Sequence, residues 1–382
     1  MGNQLRIAVI WSRFGPYHLA RLRAAAEMGQ LRGIELFGVE VAGGDRDYEW
    51  AKAEGADGFQ RVTVFPEENY HDKSPREIKE CVTRTLDRIN PAVVAANGWS
   101  VAEARAGLSW CRRRKRRCVV MSATKVNDRP RAAWRELVKR FIVGRFDSAL
   151  VGGPAQADYL VKLGLSRDRI HLGYDVIDNE FFAKSAALAR SGRETLLTQL
   201  ALPNQFFFAC TRFLPRKNLD GLLEAYALYR AKAPRPVWGL VIAGSGEEEL
   251  RLRALERKLD LQDVVWPGFL QYADLPVYFG LADAFVHPAK LEAWGLVLNE
   301  AAASGTPLLV SRTVGAASEL VRDGESGFLF DPTDKADIAA ALLKIATKTQ
   351  DQRNAIGSTA QRIASEWGPE RFGAGLLAAA GL

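Results

Sequence analysis

Two glutamates with a glycine between them mark the stretch of this sequence best suited to chemistry. Glu292 and Glu300 are separated by seven residues, and Gly295 lies between them. A glycine allows a ligand to approach the backbone closely, and a helix that begins there directs free N–H groups at an anion. Glu300 would lie about one turn along that helix, on the face of Leu296. The pattern predicts an anion site with an acid on either side, which suits a sugar joined through a diphosphate to a nucleoside.

The elements around these acids follow from the apolar pattern. A strand is predicted over residues 283–288, before Glu292, and a helix over residues 296–303, after it. Ser-Gly-Thr-Pro at 304–307 ends that helix, because glycine favours a helix end and proline cannot continue it. The next strand is predicted over residues 308–311. Strand, loop and helix therefore place the two acids at one edge of a sheet.

Two cations follow another predicted strand, at residues 206–211. Arg212 and Lys217 lie just beyond its end, where side chains can reach a crevice. Arginine grips a diphosphate as a fork, whereas lysine acts as a point charge. Both contacts strengthen as a leaving diphosphate gains negative charge, which stabilises the transition state. The alternative is that both are ordinary surface cations.

Length and composition indicate a two-domain globular protein. A chain of 382 residues exceeds one ordinary core. No run approaches the ~18 apolar residues of a membrane span. Residues 1–6 lead straight into a strand, so we expect no signal peptide. The four cysteines have scattered spacings, which favours a reducing cytoplasm over a disulfide framework or zinc site.

The net positive charge of the chain comes entirely from its first half. Residues 1–182 hold 30 Lys and Arg against 23 Asp and Glu, an excess of 7, and residues 183–382 hold 22 against 22. Much of the excess lies in residues 112–117 and 129–145. Such clusters suit an anionic lipid or nucleic acid; a solvated loop and helix face is the alternative. No nucleic-acid-binding motif accompanies the charge, so we expect no nucleic-acid partner.

Strand-like and helix-like segments alternate throughout, which predicts parallel sheets covered by helices. The fold class is α/β, with two Rossmann-like domains facing each other across a deep cleft. The first domain is predicted over residues 1–182 and the second over 183–365, with a final helix in 366–382 that packs back on the first. Residues 173–182 read as a turn-rich junction, and residues 183–199 as one bridging helix.

From residue 206 to residue 332 the sequence resembles the nucleotide-sugar domain of retaining glycosyltransferases of family 4, which have the GT-B fold. An ordered set of motifs carries the resemblance over some 120 residues. These are Arg212 with Lys217-Asn218, Gly244-Ser-Gly246, Pro267-Gly-Phe269, the Glu292 and Glu300 pair, Ser304-Gly-Thr-Pro307, Gly315, and Asp323-Gly-Glu-Ser-Gly-Phe-Leu-Phe330.

The resemblance implies roles for the acids and the glycine between them. Glu300 would accept hydrogen bonds from the ribose hydroxyls, and Glu292 would face the hydroxyls of the donor sugar at the reacting centre. The backbone amides of Gly295, Leu296 and Val297 would bind phosphate. The plain alternative makes each acid a solvated helix-terminal residue.

The remaining donor-side candidates are weaker signals. Phe269 and Leu270 resemble the loop that packs on the base, largely through backbone. Gly244 and Gly246 match the donor-binding turn, although any strand-to-helix turn can use such glycines. Trp294 fills a position where an aromatic is common, and packing is its alternative role.

The first half supplies acceptor-side candidates. Gly15 matches the glycine loop that closes over the phosphates, and His18 follows at the start of a helix, where it either binds a substrate catalytically or packs. Many family members carry a further histidine in an acceptor-side loop where this sequence has none. The polar residues available there are Ser122, Asp128 and Arg131.

One motif points to a different glycosyltransferase fold. Asp45-Arg-Asp47 spells the Asp-x-Asp that binds a metal–diphosphate there. It lies in a polar loop without that fold's context, so we read it as solvated. The cations at Arg212 and Lys217 make a metal unnecessary, and we expect no metal and no cofactor beyond the co-substrate.

The residues and the resemblance together predict a metal-independent glycosyltransferase, and the resemblance alone implies that it retains the anomeric configuration. It would move a sugar from a UDP- or GDP-type donor to a hydroxyl acceptor that the sequence does not identify. The alternatives are a GT-B epimerase or phosphorylase, and a nucleotide-sugar-binding scaffold without turnover. We expect a cytoplasmic protein whose basic first domain contacts the anionic inner membrane face.

Overall fold

A computed structural model of the chain describes residues 4–46, 50–51, 58–128 and 132–382. It divides into two units. Unit 1 contains Met1–Ile177 and Gly368–Leu382, and unit 2 contains Asp178–Trp367. The chain therefore returns to unit 1 for its last helix.

The described part of unit 1 is built on a parallel sheet in the order β3-β2-β1-β4-β5-β6-β7. Its strands are short apolar runs buried on both faces, as parallel sheets require. In the central strand β1, Ile7 pairs with Leu36 of β2 on one side and with Val93 of β4 on the other. The strands are β1 Leu5–Trp11, β2 Ile34–Gly44, β3 Gln60–Asn69, β4 Val93–Asn97, β5 Arg117–Ser122, β6 Ser148–Val151 and β7 Ile170–Leu172.

Helices cover both faces of this sheet. Helix α2, for example, begins at a capping box: the Ser74 hydroxyl accepts a hydrogen bond from the Glu77 amide, and the Glu77 carboxylate accepts one from the Ser74 amide. The helices are α1 Pro16–Gln30, α2 Pro75–Ile89, α3 Ala102–Arg114, α4 Ala133–Val143 and α5 Pro154–Lys162, with short 3₁₀ turns at Tyr70–Asp72 and Arg167–Arg169.

Unit 2 has a parallel sheet of six strands in the order β10-β9-β8-β11-β12-β13. Its first strand, Phe-Phe-Phe-Ala-Cys, supplies three fully buried aromatic rings to the core. The strands are β8 Phe206–Cys210, β9 Gly239–Ala243, β10 Val264–Gly268, β11 Ala284–His287, β12 Leu308–Ser311 and β13 Gly327–Phe330.

The helices of unit 2 alternate with these strands. They are α6 Asn179–Ser191, α7 Arg193–Gln199, α8 Leu219–Lys232, α9 Glu249–Lys258, α10 Leu275–Leu281, α11 Leu296–Ala303, α12 Ala317–Leu320, α13 Lys335–Ala346 and α14 Gln350–Ser365, with a 3₁₀ turn at Pro215–Lys217. Because every strand pair is parallel, the loops that leave the carboxyl ends of β8 and β11 meet at one edge of the sheet, where ligands bind in such folds.

The segment between the two sheets differs from the sequence prediction. The predicted junction at residues 173–182 is helical from Asn179, because Asp178 accepts a hydrogen bond from the Phe181 amide and starts α6. The predicted single helix at 183–199 is two helices that are interrupted at Gly192, where glycine weakens the helix.

The last helix, α15 (Pro369–Ala380), packs within unit 1. Phe372, Leu376 and Leu377 join the core formed by β1 and α1. Gly373 permits close contact, since a Cβ there would lie 2.7 Å from the sulfur of Met28. Of the helices that the structure describes, none is long and apolar enough to cross a bilayer.

Candidate active site

A buried ion pair lies at the carboxyl edge of the unit 2 sheet. Lys217 ends the 3₁₀ turn after β8, and Glu292 lies in the loop after β11, the strand next to β8. Their side chains are only 11% and 13% exposed, and the ammonium and carboxylate form an ion pair. Since water reaches neither group well, each charge depends on the other for stabilisation.

Burial and the pair's own charges set the titration of both groups. Burial lowers the pKa of Lys217, and the charge of Glu292 opposes that shift. Burial acts to raise the pKa of Glu292, but the contacts with His287 and Lys217 outweigh it and hold that pKa well below its usual range. Glu292 is therefore a carboxylate at neutral pH.

Two further residues contact this carboxylate, and sequence reasoning missed both. His287 Nε2 lies 3.6 Å from Glu292 Oε2, and Arg216 Nη1 lies 3.7 Å from Oε1. Burial lowers the pKa of His287, so the ring is neutral at pH 7. The available signal was the position of His287 as the last residue of a buried strand, at the sheet edge where sites form.

The backbone around Glu292 is fixed by a second loop. The Gly315 amide donates to the Glu292 carbonyl at 3.2 Å, and the Ala316 amide donates to the Trp294 carbonyl at 2.9 Å. A Cβ at Gly315 would lie 1.8 Å from the Ala293 carbonyl oxygen. Only glycine allows the two loops to approach this closely.

Gly295, where the sequence predicts an anion site, precedes α11 and has a φ of +96°. Anion binding there stays a prediction. Leu296 and Val297 are the first residues of the helix, and their amides have no carbonyl partner within it. Glu300 lies one turn further along and is buried. Burial raises the pKa of Cys210, at the end of β8, and of Tyr272, in the loop after β10, and the negative charge of Glu300 adds to both shifts.

Arg212 lies beyond β8 on a loop braced by the glycine turn. The Phe213 amide donates to the Ser245 carbonyl at 2.7 Å. A Cβ at Gly244 would lie 1.9 Å from the Thr211 carbonyl oxygen, and one at Gly246 would lie 2.6 Å from that of Phe213. These two glycines therefore position the Arg212 loop by close packing. The donor-binding role assigned to them stays a prediction.

The Arg212 side chain is exposed. Within the part of the chain that the structure describes, it forms no hydrogen bond or ion pair. Lys217 and Arg212 thus differ in kind: the first is a buried cation already paired with a carboxylate, and the second is a solvated cation open to an incoming anion.

The three candidates for contact with base or sugar lie in different environments. Phe269 is exposed and Leu270 is half-buried, just after β10, where both can meet a ligand. Trp294 is buried: its ring packs 5.0 Å from that of Trp367, and its Nε1 donates to Asn299 Oδ1 at 3.0 Å. The structure therefore gives Trp294 a packing role, and its donor contact remains a prediction.

In unit 1, Gly15 and His18 are joined at the start of α1. The Gly15 amide donates to His18 Nδ1 at 2.9 Å. Because Nδ1 accepts, we assign the ring proton to Nε2. Burial, and then the charge of Arg21, lowers the pKa of His18 to about 3. The ring is a neutral hydrogen-bond donor at pH 7, packed 4.7 Å from the ring of Trp11.

A buried glutamate that sequence reasoning missed holds the loop before α1. Glu40 accepts from the Phe14 amide at 3.0 Å and from Thr63 Oγ1 at 2.7 Å, and Arg61 pairs with it at 3.0 Å. The glycine loop at Gly15 is therefore anchored to β2 through Glu40, which β3 holds in turn through Arg61 and Thr63.

The acceptor-side candidates serve local turns. Ser122 Oγ accepts from the Thr124 amide at 3.1 Å, and Asp128 Oδ2 accepts from the Lys125 amide at 3.2 Å. Arg131 lies outside the described residues. Acceptor binding by these three residues stays a prediction.

The reading of Asp45 as a solvated residue was wrong. Its side chain is 8% exposed and lies 3.1 Å from His71 Nε2. Asp47, the second acid of that motif, lies outside the described residues. Asp45 is therefore shielded from water and paired with His71, whereas the neighbouring Arg46 side chain stays exposed.

One more buried acid escaped the sequence analysis. Glu103, in the first turn of α3, is fully buried and accepts from Tyr70 Oη at 2.9 Å. Burial raises its pKa. Acids are common in the first turn of a helix because the helix dipole stabilises them there. Nothing in the sequence distinguishes Glu103 from such an acid.

Comparison with known proteins follows the same division of the chain. Residues 198–363, which lie in unit 2, match the family model described as "Glycosyl transferases group 1". The mannosylfructose-phosphate synthase of Agrobacterium fabrum is 29% identical over 209 residues, 52% of this chain and 44% of that protein. The D-inositol 3-phosphate glycosyltransferase of Thermomonospora curvata is 32% identical over 231 residues, 57% of this chain and 53% of that protein. The chain thus spans about half the length of these relatives.

Solved structures match the whole chain at the level of fold. Anabaena HepE in complex with UDP and glucose aligns with a TM-score of 0.74 at 19% identity, and the alignment covers 98% of each chain. The sucrose-phosphate synthase of Thermosynechococcus elongatus aligns with a TM-score of 0.73 at 18% identity, again over 98% of each chain. Residues 198–363 are therefore similar to the glycosyl transferases of group 1, and the chain has the two-domain α/β fold of these solved structures.

Proposed function

We propose that this chain is a retaining glycosyltransferase of family 4. It transfers a sugar from a UDP- or GDP-type nucleotide sugar to a hydroxyl acceptor without a metal ion. The observation that carries the proposal is the buried Lys217–Glu292 pair inside a segment that matches the glycosyl transferases of group 1. A bare surface site would not keep an ammonium and a carboxylate at such low exposure.

The donor diphosphate is held by cations and by backbone amides. Arg212 is exposed and open to an anion, and the start of α11 directs its first amides outward from Gly295. Lys217 already faces the carboxylate of Glu292, so a diphosphate would become its second anionic partner. Buried Glu300 suits the ribose hydroxyls, since a carboxylate accepts hydrogen bonds from a vicinal diol. That HepE was solved with UDP favours a uridine donor.

The transfer replaces one bond at the anomeric carbon by another. The bond between that carbon and the phosphate oxygen breaks, and its electron pair leaves with the diphosphate. The acceptor oxygen forms its bond on the same face, and the proton of the acceptor hydroxyl passes to the departing phosphate oxygen. Arg212 and Lys217 stabilise the negative charge that develops there. Glu292 accepts hydrogen bonds from the donor sugar, and its low pKa keeps it ionised throughout.

The acceptor side belongs to unit 1. His18 keeps its proton on Nε2 because Nδ1 is occupied by the Gly15 amide, so it can donate a hydrogen bond but cannot act as a cation at neutral pH. We propose that it orients a substrate oxygen. The four cysteines are all free, in agreement with the reducing cytoplasm that we propose as the compartment.

Nucleotide release tests the proposal directly. The full-length protein is incubated with UDP- and GDP-sugars and a panel of hydroxyl acceptors, and released UDP or GDP and the glycoside are measured with and without EDTA. We expect EDTA-insensitive transfer, and NMR of the product should show the anomeric configuration of the donor. Lys217→Ala should abolish transfer, whereas Lys258→Ala, at an exposed lysine of α9, should not.

Each competing function has its own outcome in this assay. A nucleotide sugar isomerised without an acceptor indicates an epimerase, and phosphate-dependent cleavage indicates a phosphorylase. Tight nucleotide binding with no turnover on any acceptor indicates a scaffold. An inverted product, or activity that EDTA removes, contradicts the retaining or the metal-independent part of the proposal.

A further inference from the structure

Helix α4 of unit 1 exposes four large apolar side chains on one face. Trp134, Leu137, Val138 and Phe141 are 64%, 68%, 50% and 70% exposed. Their spacing of three, four and seven residues places them together along the helix. Isolated exposed apolar residues are ordinary, but a contiguous apolar face on a surface helix indicates an interaction site.

The opposite face of α4 packs on the protein through polar groups. Tyr159 Oη donates to Glu136 Oε2 at 2.9 Å, and Lys139 Nζ donates to Tyr159 Oη at 3.3 Å. Val143, at the end of the helix, is fully buried in the core. Four of the six large apolar side chains of α4 therefore face outward, whereas an ordinary surface helix buries its apolar face. The contacts of Glu136 and Lys139 with Tyr159 hold the helix in this orientation.

Cations border the apolar face. The guanidinium of Arg135 lies 5.2 Å from the ring of Trp134, and that of Arg145 lies 5.8 Å from the ring of Phe141. Arg112, at the end of α3, donates to the Arg145 carbonyl and so brings the basic end of that helix beside α4. A cavity of about 380 Å³ at this point is lined by Cys111, Arg112, Lys115, Arg116, Arg117 and Asp147.

We propose that this face, comprising α4 and the basic end of α3, docks the protein on an anionic lipid bilayer. Trp134, Leu137, Val138 and Phe141 would enter the boundary between head groups and acyl chains, as the apolar face of an interfacial helix does. The bordering arginines and lysines would contact lipid phosphates, each adding attraction that salt weakens. The proposal does not depend on the transferase activity.

Charge decides between a bilayer and a second copy of this chain. A symmetric contact through α4 would bring Arg135, Arg145 and the end of α3 of both copies together, and like charges repel. Lipid phosphates neutralise the same cations. Tryptophan also favours the interface between water and lipid, because its ring is apolar and its N–H is polar.

Vesicle binding by the full-length protein tests this face. Sedimentation is measured with vesicles of phosphatidylcholine alone and of phosphatidylcholine mixed with phosphatidylglycerol, at low and high salt. We expect binding to the anionic vesicles only, and release by salt. The double variant Leu137→Glu with Phe141→Glu should lose binding by at least about tenfold. Arg135→Glu with Arg145→Glu should reduce binding and its salt dependence.

Leu31→Glu is the matched control, since Leu31 lies in the same unit and is 89% exposed outside this face. It should bind like the wild type, and circular dichroism should show that all variants fold. Brominated lipid should quench the wild type more than Trp134→Phe. Equal loss in Leu31→Glu, or no binding of the wild type to anionic vesicles at low salt, overturns the proposal. A dimer in solution that Leu137→Glu dissociates would instead assign the face to a second copy.

Discussion

Lys217 and Glu292 form an ion pair although 75 residues separate them in the sequence. Backbone contacts from a different residue hold each partner in place. Asn218 Nδ2, next to Lys217, donates to the carbonyls of Pro288 and Pro332 at 3.1 and 2.8 Å. Gly315 holds the backbone of Glu292. The pair is therefore positioned by the fold itself, as a preorganised site requires.

Removing one member of this pair should cost much of the stability of unit 2. Glu292→Gln leaves the Lys217 ammonium buried without its anion, and urea denaturation should show a loss of about 3–5 kcal/mol. Lys217→Met should cost a similar amount, but the double variant should lose less than the sum, because neither charge is then left alone.

The exposed pair of Lys184 and Glu180 is the control for that cycle. Both side chains are mostly exposed, so Lys184→Met should leave the free energy of unfolding nearly unchanged. Additive losses at Lys217 and Glu292 would show that the two charges do not stabilise each other.

His18 makes the stability of unit 1 depend on pH. Its pKa is lowered to about 3 in the folded chain, whereas a histidine in an unfolded chain has a pKa of about 6.5. Between these two pKa values the unfolded chain binds more protons than the folded chain. The stabilisation is therefore fully present above the pKa of the unfolded chain and is lost as the pH falls towards the pKa of the folded chain. Between pH 7.5 and pH 5 we expect a loss of about 2 kcal/mol, which His18→Gln should reduce.

NMR provides an independent measurement of the same histidine. The ¹⁵N shifts of His18 should show a protonated Nε2 and an unprotonated Nδ1 at pH 7, because Nδ1 accepts from the Gly15 amide. A ring that titrates near its ordinary pKa, or that carries its proton on Nδ1, would contradict the proposed role as a neutral donor.

Gly315→Ala should disturb the loop of Glu292 from a distance. The new Cβ would lie 1.8 Å from the Ala293 carbonyl oxygen, so the backbone must move. Overpacking of this kind costs about 1–3 kcal/mol or more, and the movement should also weaken donor binding. Gly192→Ala is the control, because its Cβ meets nothing closer than 3.7 Å. Thermal melts and a nucleotide titration measure both effects, and a Gly315→Ala protein as stable as Gly192→Ala would refute the packing argument.

Apolar runs with clear ends could be predicted from the sequence. The structure confirms the helix α11 at Leu296–Ala303 and the strand β12 at Leu308–Ser311 with the predicted bounds. Short buried runs flanked by glycine, proline or charge leave few alternatives. The two Rossmann-like domains followed from their alternation, and the solved structures of similar fold confirm them.

Contacts that depend on the tertiary fold could not be predicted. His287 looks like the polar end of an apolar strand, and only the fold brings it to Glu292. Gly244 and Gly246 match a ligand turn, yet in the structure they pack against the Arg212 loop. The outward face of α4 is also hidden in the sequence, since an amphipathic pattern does not say which face meets the protein.

Arg212 separates catalysis from stability more cleanly than Lys217 does, because its side chain is exposed. Arg212→Ala should therefore leave the free energy of unfolding within about 0.5 kcal/mol of the wild type. If the guanidinium stabilises the departing diphosphate, kcat should fall by about 10²–10³-fold, while affinity for the free nucleotide falls less, because the charge grows in the transition state.

Arg212→Lys tests whether the fork matters or only the charge. Lysine keeps the cation but cannot make two parallel hydrogen bonds, so we expect a rate between those of the wild type and Arg212→Ala. Arg257→Ala, at an exposed arginine of α9, should be fully active. Steady-state kinetics and calorimetric nucleotide binding measure the two quantities. If Arg212→Ala turns over at the wild-type rate, the developing charge is stabilised elsewhere, and Lys217 with the α11 amides must carry it alone.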